Sequence, residues 1–175
     1  EERNKWDEYV AKESGPTNQE LPSYAHAVGA VYRNSDSSDI VVTAAGGLVG
    51  EVVQIWKPKE LNTFETEWGF SCMSYEISGA LGIKMAKPDQ DVIVFVGDGS
   101  YLLQNSDIYS SVLYDKKLII VVCDNGGHMV INRLQLAKGG NEYLCNLNAA
   151  RATNVQFVDF EAHAKSMGAN GETVK

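Results

Sequence analysis

Three apolar runs, each stopping at a turn rich in glycine or aspartate, constrain what this chain folds into. Asp39-Ile40-Val41-Val42-Thr43 ends at Ala44-Ala45-Gly46-Gly47. Asp91-Val92-Ile93-Val94-Phe95-Val96 ends at Gly97-Asp98-Gly99-Ser100, and Leu118-Ile119-Ile120-Val121-Val122-Cys123 ends at Asp124-Asn125-Gly126-Gly127. None alternates apolar with polar residues, so each expects burial on both faces, as strands inside a parallel sheet require. Val155-Gln156-Phe157-Val158 reads as a fourth strand.

Helical periodicity fills the gaps between them. Pro22 to Tyr32 places Tyr24, Ala27, Val28 and Val31 at three- and four-residue spacing. Met73 to Met85 does the same with Ile77, Ala80, Leu81, Lys84 and Met85, and Gln104 to Tyr114 turns Ile108, Ser111 and Val112 inward. Asp159 to Met167 opens on an aspartate N-cap. Strand–helix–strand repetition predicts right-handed crossovers and a three-layer α/β domain, a mostly parallel sheet with helices on both faces. Residues 1–20 are polar, carry the breaker pair Gly15-Pro16, and read as a linker or extension, which leaves 21–175 as one domain. The chain opens without a methionine and ends at Lys175 without turn chemistry, so it is expected to be a truncated segment excised from a larger protein.

Charge and cysteine content exclude several function classes. The formal net charge is −8 with no lysine/arginine cluster, which argues against a nucleic-acid or anionic-membrane partner. Cys72, Cys123 and Cys145 have no CxxC spacing, so neither a disulfide framework nor a four-thiolate zinc site is expected. Free thiols suit a reducing compartment and predict a cytoplasmic protein. There is no signal-peptide pattern at the start, and no window reaches the ~18 consecutive apolar residues of a membrane span.

Ligands of an open parallel sheet collect at the carboxyl ends of its strands. Gly97-Asp98-Gly99 and Asp124-Asn125-Gly126-Gly127 both sit at such ends, and one helical crossover makes their strands expected neighbours. Asp98 and Asn125 are 27 residues apart in sequence yet come within reach of one ion. A carboxylate, an amide oxygen and a backbone carbonyl are hard ligands that, with phosphate oxygens and water, complete the octahedron of Mg²⁺. The glycines admit a diphosphate close to the backbone, and the amides of Gly99 and Ser100 at a helix start suit an anion. A lone Gly-Asp-Gly is a common turn; its companion at a second strand end is what lifts it above chance.

Gly97-Asp98-Gly99-Ser100, followed by a helix and an apolar strand ending in Asp124-Asn125, resembles the fingerprint of the thiamine-diphosphate-dependent enzymes. Those enzymes usually carry two asparagines at the second position; here the first is Asp124 and the second is Asn125. The resemblance implies side-chain roles for Asp98 and Asn125 on Mg²⁺ and a carbonyl role for Gly127. It implies that Gly46 and Gly47 contact the diphosphate. It also implies that Met73 props the bent cofactor, while the backbone of Ser71 and Met73 meets the aminopyrimidine. Glycine often stands in the family where Ser71 and Ser74 stand here.

The matching stretch, about Leu21 to Gly168, corresponds to the diphosphate-binding domain of the family. A separate pyrimidine-binding domain supplies the activating glutamate, and nothing in this chain matches it. Glu51, Glu65, Glu67 and Glu76 read as surface carboxylates, so the chain alone is expected to be catalytically silent. The active sites of the family lie between chains, which implies a homodimer or homotetramer for the intact enzyme.

Ala44 to Leu48, Glu67 to Met73 and Asp124 to Leu134 most resemble the family members of inositol catabolism that hydrolyse a cyclic, polyhydroxylated 1,2-dione. The implied reaction is carbanion addition to a ring carbonyl, C–C cleavage and hydrolysis of trihydroxycyclohexane-1,2-dione to 5-deoxyglucuronate. His128 is then the candidate catalytic side chain, moving a proton or reaching substrate hydroxyls. Asn132 and Arg133 suit a polyhydroxylated substrate or, equally, a surface helix, while His26 and His163 are expected on surface helices without a role. An acetolactate synthase-like carboligase or decarboxylase acting on pyruvate shares the fingerprint, and a non-catalytic diphosphate-binding module remains a third reading.

Overall fold

A computed structural model describes residues 1–152, 154 and 157–174. The three predicted strands form as β1 (Ile40–Thr43), β3 (Val92–Gly97) and β4 (Ile119–Cys123). A fourth, β2 (Phe64–Thr66), is only three residues long and half exposed, too short to carry a strand signal in the sequence. The sheet is parallel throughout, in the order β2-β1-β3-β4. As for the strand expected at 155–158, Val155 and Gln156 lie outside the described residues, and Phe157 and Val158 are irregular.

Helices cover both faces, as expected. On one face α1 (Glu2–Glu13), α2 (Tyr24–Arg33) and α3 (Gly46–Ile55) bring Val10, Val28, Leu48, Val52 and Ile55 against Val41, Ile93 and Phe95. On the other, α4 (Tyr75–Ala86), α5 (Asp98–Leu103) and α6 (Ser106–Leu113) bring Ile77, Ala80, Tyr101 and Ile108 against Ile40, Val42, Val92, Val94 and Val96. The β3–β4 crossover thus holds two helices where one was expected. Helix α7 (Met129–Ala137) leaves the end of β4, and α8 (Phe160–Ser166) lays Phe160 edge-on to Tyr101. The Asp159 side chain caps α8 by accepting from the Ala162 amide, as the sequence predicts. No helix among the described residues is long and apolar enough to cross a membrane.

The segment 1–20, expected as a linker or extension, is helical over Glu2–Glu13 (α1) and buries Val10. Its end docks on α2, where the Arg33 guanidinium donates to the Ser14 carbonyl at 2.5 Å. A side chain at Gly29 would collide with that carbonyl at 2.2 Å, so only glycine allows the approach. Val112 and Met85, placed inward by periodicity, are 40% and 54% exposed, because α6 and α4 each present a narrower buried stripe than their apolar content suggests.

Strands β1 and β3 are buried on both faces, whereas β4 is only partly covered. Phe95 anchors the first face, wholly buried and edge-on to Trp56. Phe95→Ala is expected to cost about 3–5 kcal/mol in urea unfolding. Leu113→Ala, at a side chain 66% exposed, should change stability by less than about 0.5 kcal/mol.

Candidate functional site

A parallel sheet places all its carboxyl strand ends on one edge, and the candidate residues gather there. The β3–β4 register pairs Gly97 with Cys123, which sets Asp98 beside the loop Asp124–Gly127. Asp98 is 4% exposed. Its Oδ2 accepts the Gly127 amide at 2.7 Å, and its Oδ1 is buried without a hydrogen-bond partner. Burial raises the Asp98 pKa above the ordinary carboxylate value; the Gly127 amide opposes this and the nearby Asp124 charge adds to it.

The loop after β4 is shaped by its own polar groups. Asp124 Oδ1 accepts the Gly126 amide at 2.9 Å, an Asx turn that aspartate makes as well as asparagine. Asn125 turns its amide nitrogen to the Tyr24 hydroxyl on α2, which leaves the amide oxygen for another partner. Burial raises the Tyr24 phenol pKa, against the lowering effect of that contact. The Cys123 thiol directly beneath is pushed up to about 12, by burial and then by the Asp98 charge, so it stays a neutral packing group.

Gly127 takes φ +135, and a Cβ there would meet the Cys145 carbonyl oxygen at 2.4 Å. The segment Cys145–Leu147 is bonded to this loop from both sides, through His128 N to Cys145 O at 2.7 Å and Leu147 N to Gly126 O at 2.9 Å. His128 is exposed, and its imidazole lies over Gly99, 2.6 Å from where a Cβ on that residue would stand. Arg133 of α7 reaches back so that its Nη2 lies 2.7 Å from the corresponding point on Gly47, beside the start of α3.

The segment before α4 meets the same edge. Ser71 and Ser74 take φ +51 and +85, the left-handed region in which glycine is preferred. Glu67 holds the segment by accepting the Phe70 and Cys72 amides at 2.9 and 2.7 Å, and these bonds lower its pKa. Met73 is 36% exposed. Among the described residues no side-chain hydrogen bond joins Ser71 or Met73 to the rest of the edge, while the Ser74 amide donates to Ser100 Oγ at 2.7 Å.

Two side chains depart from what their sequence pattern predicts. Glu76, expected at the surface, is 1% exposed and accepts from Ser74 N at 2.9 Å and Ser100 Oγ at 2.8 Å, with a longer contact from Ala45 N at 3.4 Å. Its signal was present: Glu76, Ala80 and Lys84 share one face of α4, and all three are buried. Asn132, offered as a substrate or surface residue, is buried, and its amide donates to Glu142 at 2.8 Å. His163, assigned nothing, contacts the Tyr101 hydroxyl through Nδ1 at 2.9 Å.

These donors can serve a cation and an anion together: a buried carboxylate oxygen without a partner, an amide oxygen, a backbone carbonyl and the first amides of α3 and α5. Residues 44–175 match the model of the thiamine pyrophosphate enzyme, C-terminal TPP binding domain. Relatives named 3D-(3,5/4)-trihydroxycyclohexane-1,2-dione hydrolase include one from Lacticaseibacillus casei, 43% identical over 143 residues, covering 82% of this chain and 22% of the relative. One from Shouchella clausii is 37% identical over 161 residues, covering 86% and 25%. Another, from Listeria innocua, is 36% identical over 168 residues, covering 95% and 26%. The chain therefore spans about a quarter of the length of the curated relatives it matches.

The buried carboxylate gives a pH signature to the cofactor-free chain. A carboxyl whose pKa is raised by folding favours the fold while protonated, below the unfolded value near 3.8, and loses that contribution as pH rises through the folded value. Asp98→Asn should therefore gain stability over wild type as pH rises from 4 toward 7 in chelator, measured by urea unfolding. A pH-independent difference would contradict the burial argument.

Proposed function

Because the chain belongs to the thiamine pyrophosphate enzyme family, we propose that its strand-end edge holds the diphosphate of that cofactor through Mg²⁺. The observation that carries this reading is the unpartnered, buried Asp98 Oδ1. An orphaned buried oxygen is costly, and a divalent cation meets it with the ligand chemistry that oxygen needs. In this reading Asp98 and Asn125 give side-chain oxygens and Gly127 its carbonyl. Gly46 and Gly47 at the start of α3, with Gly97, Gly99 and Ser100 at the start of α5, receive phosphate oxygens. Ser100 acts through its amide, since its hydroxyl is taken by Glu76 and Ser74. The Arg133 guanidinium beside Gly47 adds a positive charge at the same place.

The backbone of Ser71 and the Met73 side chain form the wall toward the pyrimidine end. Their exposure suits a surface that a second domain covers. Bound thiamine diphosphate supplies a carbon nucleophile able to add to a carbonyl. His128 projects over Gly99 from the loop after β4, and we assign it to proton transfer at the diphosphate end. The intact enzyme is a homodimer or homotetramer that hydrolyses a C–C bond of a cyclic polyhydroxylated 1,2-dione; the relatives named trihydroxycyclohexane-1,2-dione hydrolases support the substrate class and the hydrolysis. A second domain supplies the activating glutamate, and this chain by itself is inactive.

Titration calorimetry of the chain should show weak binding of thiamine diphosphate that needs Mg²⁺ and is lost in Asp98→Ala. Tight binding of an adenine nucleotide instead would overturn the site. With the full-length enzyme, the cyclic dione should be turned over and pyruvate should not; turnover of pyruvate alone would replace the hydrolase with a carboligase. His128→Ala should lower kcat by about 10²–10⁴-fold if it transfers a proton, and leave cofactor affinity within about threefold.

A further inference from the structure

The Glu76 carboxylate lies where three segments of the site meet, and nothing above gives it a part in the reaction. It is 1% exposed with no lysine or arginine paired to it among the described residues. Its Oε2 accepts both the Ser74 amide and the Ser100 hydroxyl, at 2.9 and 2.8 Å, while Oε1 faces the Ala45 amide at 3.4 Å. Ser100 closes the triangle by accepting the same Ser74 amide at 2.7 Å. The segment carrying Met73, the turn entering Gly46-Gly47 and the helix start after Gly97-Asp98-Gly99 therefore share one buried acceptor.

A buried carboxylate without a countercharge is held only by donors, so each donor is fixed in place by its need. The Ser74 amide sits at φ +85 in a residue with a Cβ, a conformation that must be over-determined by its surroundings to persist. A capping role for α4 alone would explain the Ser74 bond. It would not explain the bond to Ser100, which belongs to a different helix, nor the approach of Ala45 from the end of β1.

We propose that Glu76 is a positioning residue that sets the three cofactor-contacting segments in register before the cofactor arrives. This rests on the reading of the edge as the thiamine diphosphate site. The full-length enzyme and its Glu76→Gln, Glu76→Asp and Val28→Ala variants should be titrated with thiamine diphosphate and Mg²⁺ at a temperature where each is folded. Glu76→Gln leaves one acceptor oxygen for donors on both sides and turns an NH₂ toward at least one of them, and should weaken binding about tenfold or more, with Glu76→Asp recovering part of the loss. Val28→Ala, in the core away from the edge, should lower Tm with unchanged affinity. In the cofactor-free protein, amide exchange at Ser74 should quicken about tenfold in Glu76→Gln, with Val94 unchanged. Should Glu76→Gln not fold, Ser100→Ala carries the same expectations for affinity and for Ser74 exchange. Wild-type affinity with wild-type exchange at Ser74 overturns the role of Glu76. Quickened exchange with unchanged affinity overturns it too, since the segments would then not be positioned for the cofactor. Failure of the wild-type enzyme to bind thiamine diphosphate overturns the site reading instead, and the exchange measurement still reports on Glu76.

Discussion

Asp98 sits at the end of a strand buried on both faces, with one carboxylate oxygen tied to the Gly127 amide and the other tied to nothing. Removing a carboxylate from water without a full set of partners opposes folding, so such a group persists where the site has a use for it. Its neighbours follow from the same demand. Gly127 must be glycine because its φ is positive and the Cys145 carbonyl crowds it, and that tight loop is what delivers the amide to Asp98. Asp124 shapes the turn that precedes it, and Cys123 packs beneath as a neutral thiol.

The sheet determines which residues can take part. With all four strands parallel, every carboxyl end opens on one edge, and the β3–β4 pairing aligns Gly97 with Cys123. From there α5 and the loop before α7 leave side by side, and His128 falls over Gly99. Helix α3 begins on the same edge one strand further along, close to Arg133 of α7. The two apolar clusters on either side of the sheet hold these strand ends without contributing chemistry of their own.

Much of this was legible in the residues, because continuous β-branched runs and glycine-rich strand ends each have one dominant physical meaning. The adjacency of β3 and β4 and the meeting of Asp98 with the Asn125 loop follow from that pattern, whereas the place of β1 beside β3 comes from the structure. What escaped it was set by tertiary contacts. Strand β2 is too short for a periodic signal, and α1 buries only Val10 while Trp6 and Tyr9 stay exposed, so its docking depends on Gly29 and Arg33 far along the chain. Glu76 escaped because a carboxylate is usually solvated, and only the donors brought by Ser74 and Ser100 make its burial tolerable. Val112 and Met85 erred the other way, as apolar side chains left at the surface.

The central claim is that Asp98, Asn125 and Gly127 hold one metal ion against a diphosphate. The most direct measurement is a crystal structure of the intact enzyme with thiamine diphosphate and Mn²⁺, read by anomalous scattering at the manganese edge. The account predicts a single peak within coordination distance, about 2.1 Å, of Asp98 Oδ1, the Asn125 amide oxygen and the Gly127 carbonyl. Bound cofactor with no anomalous peak at these three residues, or with the metal held by other side chains, would contradict it.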